Sequence, residues 1–121
     1  MRIFDTGATR DNDEEKRDYE GFLSGPAIVA MGEYMHKHRH QPDGHLRPSD
    51  NWQKGIPLDA YMKSAFRHFI DVWQLHRGYI VVRPETKDTP SMVDSLCGLL
   101  FNIQVYLHEY LKDFDDLTVK E

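Results

Sequence analysis

Apolar residues recur along this chain with helical spacing in three stretches. Leu58, Tyr61, Met62, Ala65, Phe66, Phe69, Ile70 and Trp73 follow the i, i+3, i+4, i+7 rule of an amphipathic helix. That helix is expected from about Pro57 and Leu58 to Arg77, where Gly78 can take the left-handed conformation that closes a helix. Its apolar face is assigned to the core. Ser64, Arg67, His68 and Asp71 fall together on the opposite side of the wheel. An earlier helix opens at Gly25-Pro26, because proline is tolerated in a first turn, and runs through Ile28, Val29, Met31, Tyr34 and Met35 to about Arg39.

A last helix is expected from Thr89-Pro90, read as N-cap and first helical residue, to about Phe114. Leu96, Leu99, Leu100, Ile103, Tyr106, Leu107 and Tyr110 mark one face, yet Phe101 and Val105 lie on another. A helix apolar on two sides is buried deep or pressed into a subunit interface, so a homo-oligomer is expected.

The intervening segments are less regular. His40 to Gly55 forms a long connection, with Gln41-Pro42-Asp43-Gly44 as its turn signal, and connections of that length are often functional. Tyr79 to Arg83 is a β-branched run that suits either a strand or an extended connection. Thr6 to Glu20 is crowded with charge, including Asp11, Asp13, Glu14, Glu15, Lys16, Arg17 and Asp18. It reads as a solvated arm or as a flap that orders over a ligand or a neighbouring subunit. The expected architecture is all-α, a small helical bundle with at most one minor strand pair: an arm over 1–20 and a single helical domain over 21–121.

Composition narrows the class. The 121 residues suffice for one domain and not two. Hydrophobic content of 40% permits a core, while 29% charged residues and the lack of a long apolar run argue against a membrane protein. Met1-Arg2-Ile3-Phe4-Asp5 lacks the apolar stretch of a signal peptide, and the lone Cys97 fits a reducing compartment, so a cytoplasmic location is expected. A net charge of −5 repels nucleic acid, and only Lys37-His38-Arg39-His40 hints at a basic patch.

Candidate chemistry concentrates where the long connection enters the second helix. Ser49-Asp50-Asn51-Trp52-Gln53-Lys54-Gly55-Ile56-Pro57 supplies an aromatic ring, an amide and a lysine, and the helix adds Arg67, His68 and Asp71. That set suits the base and phosphates of a nucleotide. In the last helix Asp94, Gly98 and Asn102 stack at four-residue intervals, with Glu109 farther along the same side. A glycine inside a helix costs roughly 1 kcal/mol relative to alanine, so Gly98 marks close helix packing or close approach of a ligand. If Asp94 faces Asp71 with His68 beside them, the three make a small site for Mg²⁺ or Mn²⁺. Asp94 also suits the positive end of the helix dipole without any ligand. With a single cysteine and irregular spacing, His36, His38, His40 and His45 are a poor zinc set.

Several separated blocks carry a resemblance. Asp50-Asn51-Trp52-Gln53-Lys54-Gly55-Ile56-Pro57, Tyr61-Met62-Lys63-Ser64, Arg67-His68, Leu99-Leu100-Phe101-Asn102 and Tyr106-Leu107-His108-Glu109 resemble, in that order, the N-terminal domain of the phage dATP/dGTP diphosphohydrolases. The resemblance runs from about Lys16 to Leu111. It implies hydrolysis of a purine deoxynucleoside triphosphate to the monophosphate and pyrophosphate, in the cytoplasm of a bacterial host. A weaker similarity runs to the MazG-like all-α nucleotide pyrophosphohydrolases, whose metal helix carries a Glu-x-x-Asp pair before a Leu-Leu-Phe run. Here Ser95 and Gly98 stand at the acidic positions, leaving Asp94, and His68-Phe69-Ile70-Asp71 is the nearest substitute for the family's Glu-x-x-Glu helix.

The resemblance and the residue chemistry together give a hypothesis. A divalent ion held by Asp71 and Asp94, with His68 as ligand or general base, would activate water. Lys54 and Arg67 would neutralise phosphate, Trp52 would stack on the base, and Asn51 and Asn102 would meet purine or sugar edges. Each residue also has a structural role open to it: Trp52 as a hydrophobic staple, Asn51 as a cap, Arg67 as a partner for Asp71, His68 as a core-edge histidine. The thin carboxylate set leaves a second function open, a phage nucleotide-binding protein that captures a signalling nucleotide without turnover. A pure interaction module is the third.

Overall fold

The computed structural model describes residues 1–12 and 14–115, with 113–115 described by backbone alone. Asp13 of the charged arm and 116–121 of the expected helical domain lie outside the described residues. The chain is predominantly helical, as the periodicity predicts. A two-residue hairpin, β1 (Arg2–Ile3) antiparallel to β2 (Thr9–Arg10), is the only sheet among the described residues, with Arg2 opposite Arg10 and Ile3 opposite Thr9. A single turn, α1 (Tyr19–Phe22), follows, capped by Asp18, whose carboxylate accepts from the Gly21 amide at 2.8 Å.

Each long helix has identifiable ends. In α2 (Gly25–Lys37), Ser24 accepts from the Ala27 amide at 3.2 Å, with Pro26 in the first turn. In α3 (Leu58–His76), Gly78 at φ 90° closes the helix: Tyr79 donates to the Gln74 carbonyl at 3.0 Å and Gly78 to the Leu75 carbonyl at 3.0 Å. That pair of bonds is a Schellman closure. α4 (Met92–Asp115) starts later than Thr89-Pro90 implies, because Ser91 is the residue whose hydroxyl accepts from the Asp94 amide, at 3.1 Å. Tyr79 to Arg83 forms no strand and is an extended connection, with Val81 buried beneath it.

The helices pack as an antiparallel α3/α4 pair with α2 laid against α4. Direction follows from two points of proximity: His68 of α3 lies against Gly98 of α4, whereas Tyr61, earlier in α3, sits in the field of Glu109, later in α4. The face that α3 turns to α4 is not the one its apolar pattern suggests. Tyr61 is 4% exposed, yet Phe66 at 61% and Trp73 at 57% face outward, and Asp71, from the polar side of the wheel, is 9% exposed. On α4 likewise, Ser95, Cys97, Gly98, Asn102 and Val105 are buried, while Leu100, Ile103 and Leu107 are open. The assignment of the large apolar face of α3 to the core is therefore corrected.

The physical reason lies at Gly98. A Cβ there would stand 2.6 to 2.7 Å from the His68 ring, closer than any side chain tolerates, so the helices approach through small and polar residues. The wide apolar stripes then fall on the outside of the pair. They bound an open apolar depression of about 530 Å³ between α3 and α4, lined by Met62, Phe66, Phe69, Ile103 and Leu107 among others.

Candidate functional site

A cavity of about 560 Å³ opens where α2, the long connection, α3 and α4 meet. This is within the roughly 300–1,000 Å³ of small-ligand sites. Asn51, Trp52, Ser64, His68, Phe101 and Asn102 line one part of it, and His36, His38, Arg39 and Arg47 another. No carboxylate lines it among the described residues, so its charged groups favour an anion.

The long connection builds most of this wall. Arg47 donates its amide to the Arg39 carbonyl at 2.8 Å, and the Arg39 guanidinium returns a bond from Nε to the Arg47 carbonyl at 2.8 Å. Gln41 and His45 pair across the expected turn, where Gly44 adopts φ 85°. This small hairpin fixes the backbones of Arg39 and Arg47 side by side in the cavity wall. Beyond it, Asn51–Lys54 forms a 3₁₀ turn that sets Trp52 between two rings of α4, edge-on to Phe101 at 6.4 Å and to His108 at 4.9 Å. The Trp52 carbonyl accepts from the Tyr61 hydroxyl at 3.5 Å.

On the helix side, Asn102 donates from Nδ2 to the Gly98 carbonyl at 2.7 Å, which uses one of its two N–H donors and fixes the orientation of the amide. His68 presses on Gly98 with its Nδ1 buried and unpartnered. Burial, and then the Arg83 guanidinium, push the His68 pKa down, so the ring is held neutral. Burial and then Lys37 do the same to His38, whose ring lies 4.3 Å from that of Tyr34.

No family model, curated protein or solved structure matches this chain.

Of the residues singled out from sequence, Asn51, Trp52, His68 and Asn102 converge on the cavity. Lys54 and Arg67 are exposed and do not line it. Asp71 and Asp94 do not line it either, and each ends on a cation: Asp71 Oδ2 accepts from Arg83 Nη2 at 3.0 Å, and both oxygens of Asp94 accept from Lys37 Nζ, at 2.9 and 2.8 Å. The partner of Asp71 is thus Arg83 and not the Arg67 that helical spacing offers. No group of three His, Cys, Asp or Glu side chains among the described residues is arranged to hold a metal ion.

Sequence reasoning missed Arg83 and Arg47, and it placed Tyr34 and Ser64 on helix faces without giving them a role at the site. Arg39 entered only as part of a hint of basic charge. The signal that could have found Arg39 and Arg47 is their place on either side of a Pro-Asp-Gly turn, which lets the two residues pair across a small hairpin.

Proposed function

We propose that this chain binds a purine nucleotide in the cavity between α2, the long connection and α4. One observation carries the reading: Asn51, Trp52, His68, Phe101 and Asn102, drawn from sequence blocks up to half the chain apart, line a single cavity whose other part carries Arg39 and Arg47. Trp52 and Phe101 offer ring surface to a base, Asn51 and Asn102 offer amide groups to its edge, and the two arginines offer charge to phosphate oxygens. The phosphate role moves from Lys54 and Arg67 to Arg39 and Arg47.

The resemblance favours a purine deoxynucleoside triphosphate, dATP or dGTP, and a MazG-like pyrophosphohydrolase with Mg²⁺ or Mn²⁺ at Asp71, Asp94 and His68. The two ion pairs favour the other reading, capture of a nucleotide without turnover, because both carboxylates already have cationic partners. The present arrangement of these three residues does not fit a divalent ion, and no chemical step is assigned through one. The outward apolar stripes of α3 and α4 support a homo-oligomer, with a second copy covering them.

Incubation with each deoxynucleoside triphosphate and Mg²⁺ or Mn²⁺, with equilibrium binding measured in parallel, tests the reading. Release of pyrophosphate identifies a pyrophosphohydrolase, binding with no release identifies capture, and the absence of both discards the nucleotide site.

A further inference from the structure

We propose that Lys37 and Arg83 take the place that a divalent cation would need between Asp71 and Asp94, two side-chain charges of +1 balancing the two carboxylates that an ion of charge +2 would otherwise bridge. The inference takes the nucleotide site proposed above as its setting and is read out by metal alone.

The backbone arrangement for a shared cation is present. His68 touches Gly98 across the α3/α4 seam. Asp71 lies three residues beyond His68 along α3, and Asp94 four residues before Gly98 along α4. Because the helices are antiparallel, both steps lead the same way, roughly one helical turn or about 5 Å. The two carboxylates therefore flank the seam at one level, on opposing helices.

The side chains that reach them come from two other elements. Lys37 is the last residue of α2 and approaches Asp94 squarely, with Nζ bonded to both oxygens. Arg83 belongs to the connection after α3, and its backbone is anchored in a tight turn: its amide donates to the Asp88 carbonyl at 2.8 Å and its carbonyl accepts from the Lys87 amide at 2.8 Å. Lys87 adopts φ 64° in that turn, a left-handed conformation that is costly for a residue with a Cβ. The Asp71 side chain is 13% exposed, so an ion arriving there must displace the guanidinium and then sit beside its charge.

Titration of the full chain with Mn²⁺, following free ion by electron paramagnetic resonance, tests this. The unaltered protein is expected to bind Mn²⁺ no more tightly than about 1 mM, the weak end of protein cation sites. Lys37→Met combined with Arg83→Met frees both carboxylates and is expected to tighten binding by at least about tenfold. Circular dichroism checks its fold, and Lys37→Met alone, at the more exposed bridge, gives the same direction of change if the double variant does not fold. Sub-millimolar Mn²⁺ binding by the unaltered protein that is lost in Asp94→Asn overturns the proposal, as does a folded variant that gains no affinity. Failure of the protein to bind any nucleotide would discard the nucleotide site and leave the Mn²⁺ result to stand by itself.

Discussion

The imidazole of His68 fills the space that a side chain at position 98 would need, so Gly98 and His68 together set how closely α3 and α4 approach. Gly98→Ala gains helix propensity of roughly 1 kcal/mol. It also forces the ring out of a seam where its Nδ1 is already buried. Overpacking of this kind costs about 1–3 kcal/mol, so net destabilisation is expected in urea unfolding. In the His68→Ala background the same substitution is expected to be neutral or stabilising, since the obstructing ring is gone. A cycle of the four proteins measures that coupling, and strict additivity would remove His68 as the cause.

Protonation acts at the same place. His68 and His38 both have pKa values pushed down, chiefly by burial, and then by Arg83 and Lys37 respectively. In the unfolded chain they titrate near about 6.5, so below that pH the unfolded state takes up more protons than the folded one. The contribution of these two groups to stability is therefore expected to be level above that pH and to decline as pH falls through it. Thermal unfolding across this range reads the slope, and His68→Gln should flatten it. An unchanged slope in that variant would assign the effect elsewhere.

How much of this was legible beforehand depended on which physical signal each residue carried. The ends of α3 were readable because Gly78 is chemically suited to a left-handed closure, and the turn before Gly44 was readable for the same reason. The inward face of α3 was not. A helical wheel assumes that the largest apolar stripe meets the core of its own chain, whereas here Gly98 and Ser95 let α4 dock on the side bearing His68 and Asp71. Arg83 was illegible for a different reason: it sits in an extended connection with no periodicity, and only the folded turn carries it to Asp71. Trp52 stood out as the aromatic ring of a polar connection and Asn102 by its four-residue spacing from Gly98 and Asp94, and their convergence needed the packing of α4.

The two aspartates should respond differently to loss of charge. Asp71→Asn leaves the part-buried Arg83 guanidinium without its carboxylate, and is expected to cost about 1–3 kcal/mol in chemical denaturation. Asp94→Asn breaks a bridge whose two side chains are 54% and 39% exposed, where about 0–1 kcal/mol is usual. Equal losses in the two variants would contradict this reading of their surroundings.

The outward stripe of α3 predicts the behaviour of the whole chain in solution. Phe66, Phe69 and Met62 are at least half exposed around the apolar depression, beside Ile103 and Leu107 of α4. Sedimentation is expected to show an oligomer, and Phe66→Glu is expected to dissociate it, because a carboxylate buried at that face would have no partner. A monomer at all concentrations would remove the second copy as the cover.

Nucleotide affinity separates the residues at the cavity from those the sequence alone had grouped with them. Arg47→Ala should weaken triphosphate binding far more than binding of the corresponding nucleoside, since the charge of a lining guanidinium acts mainly on phosphate. Lys54→Ala should change neither, because Lys54 does not line the cavity. Trp52→Ala should weaken both ligands by about 1–3 kcal/mol if its ring stacks on the base. It should also lower the melting temperature, because the same ring is wedged between Phe101 and His108. Calorimetric titration of the three variants, each checked for folding, decides the matter. Loss of stability at Trp52 with unchanged affinity in Arg47→Ala would make the 3₁₀ turn a brace for α3 and α4 and leave the cavity without its nucleotide.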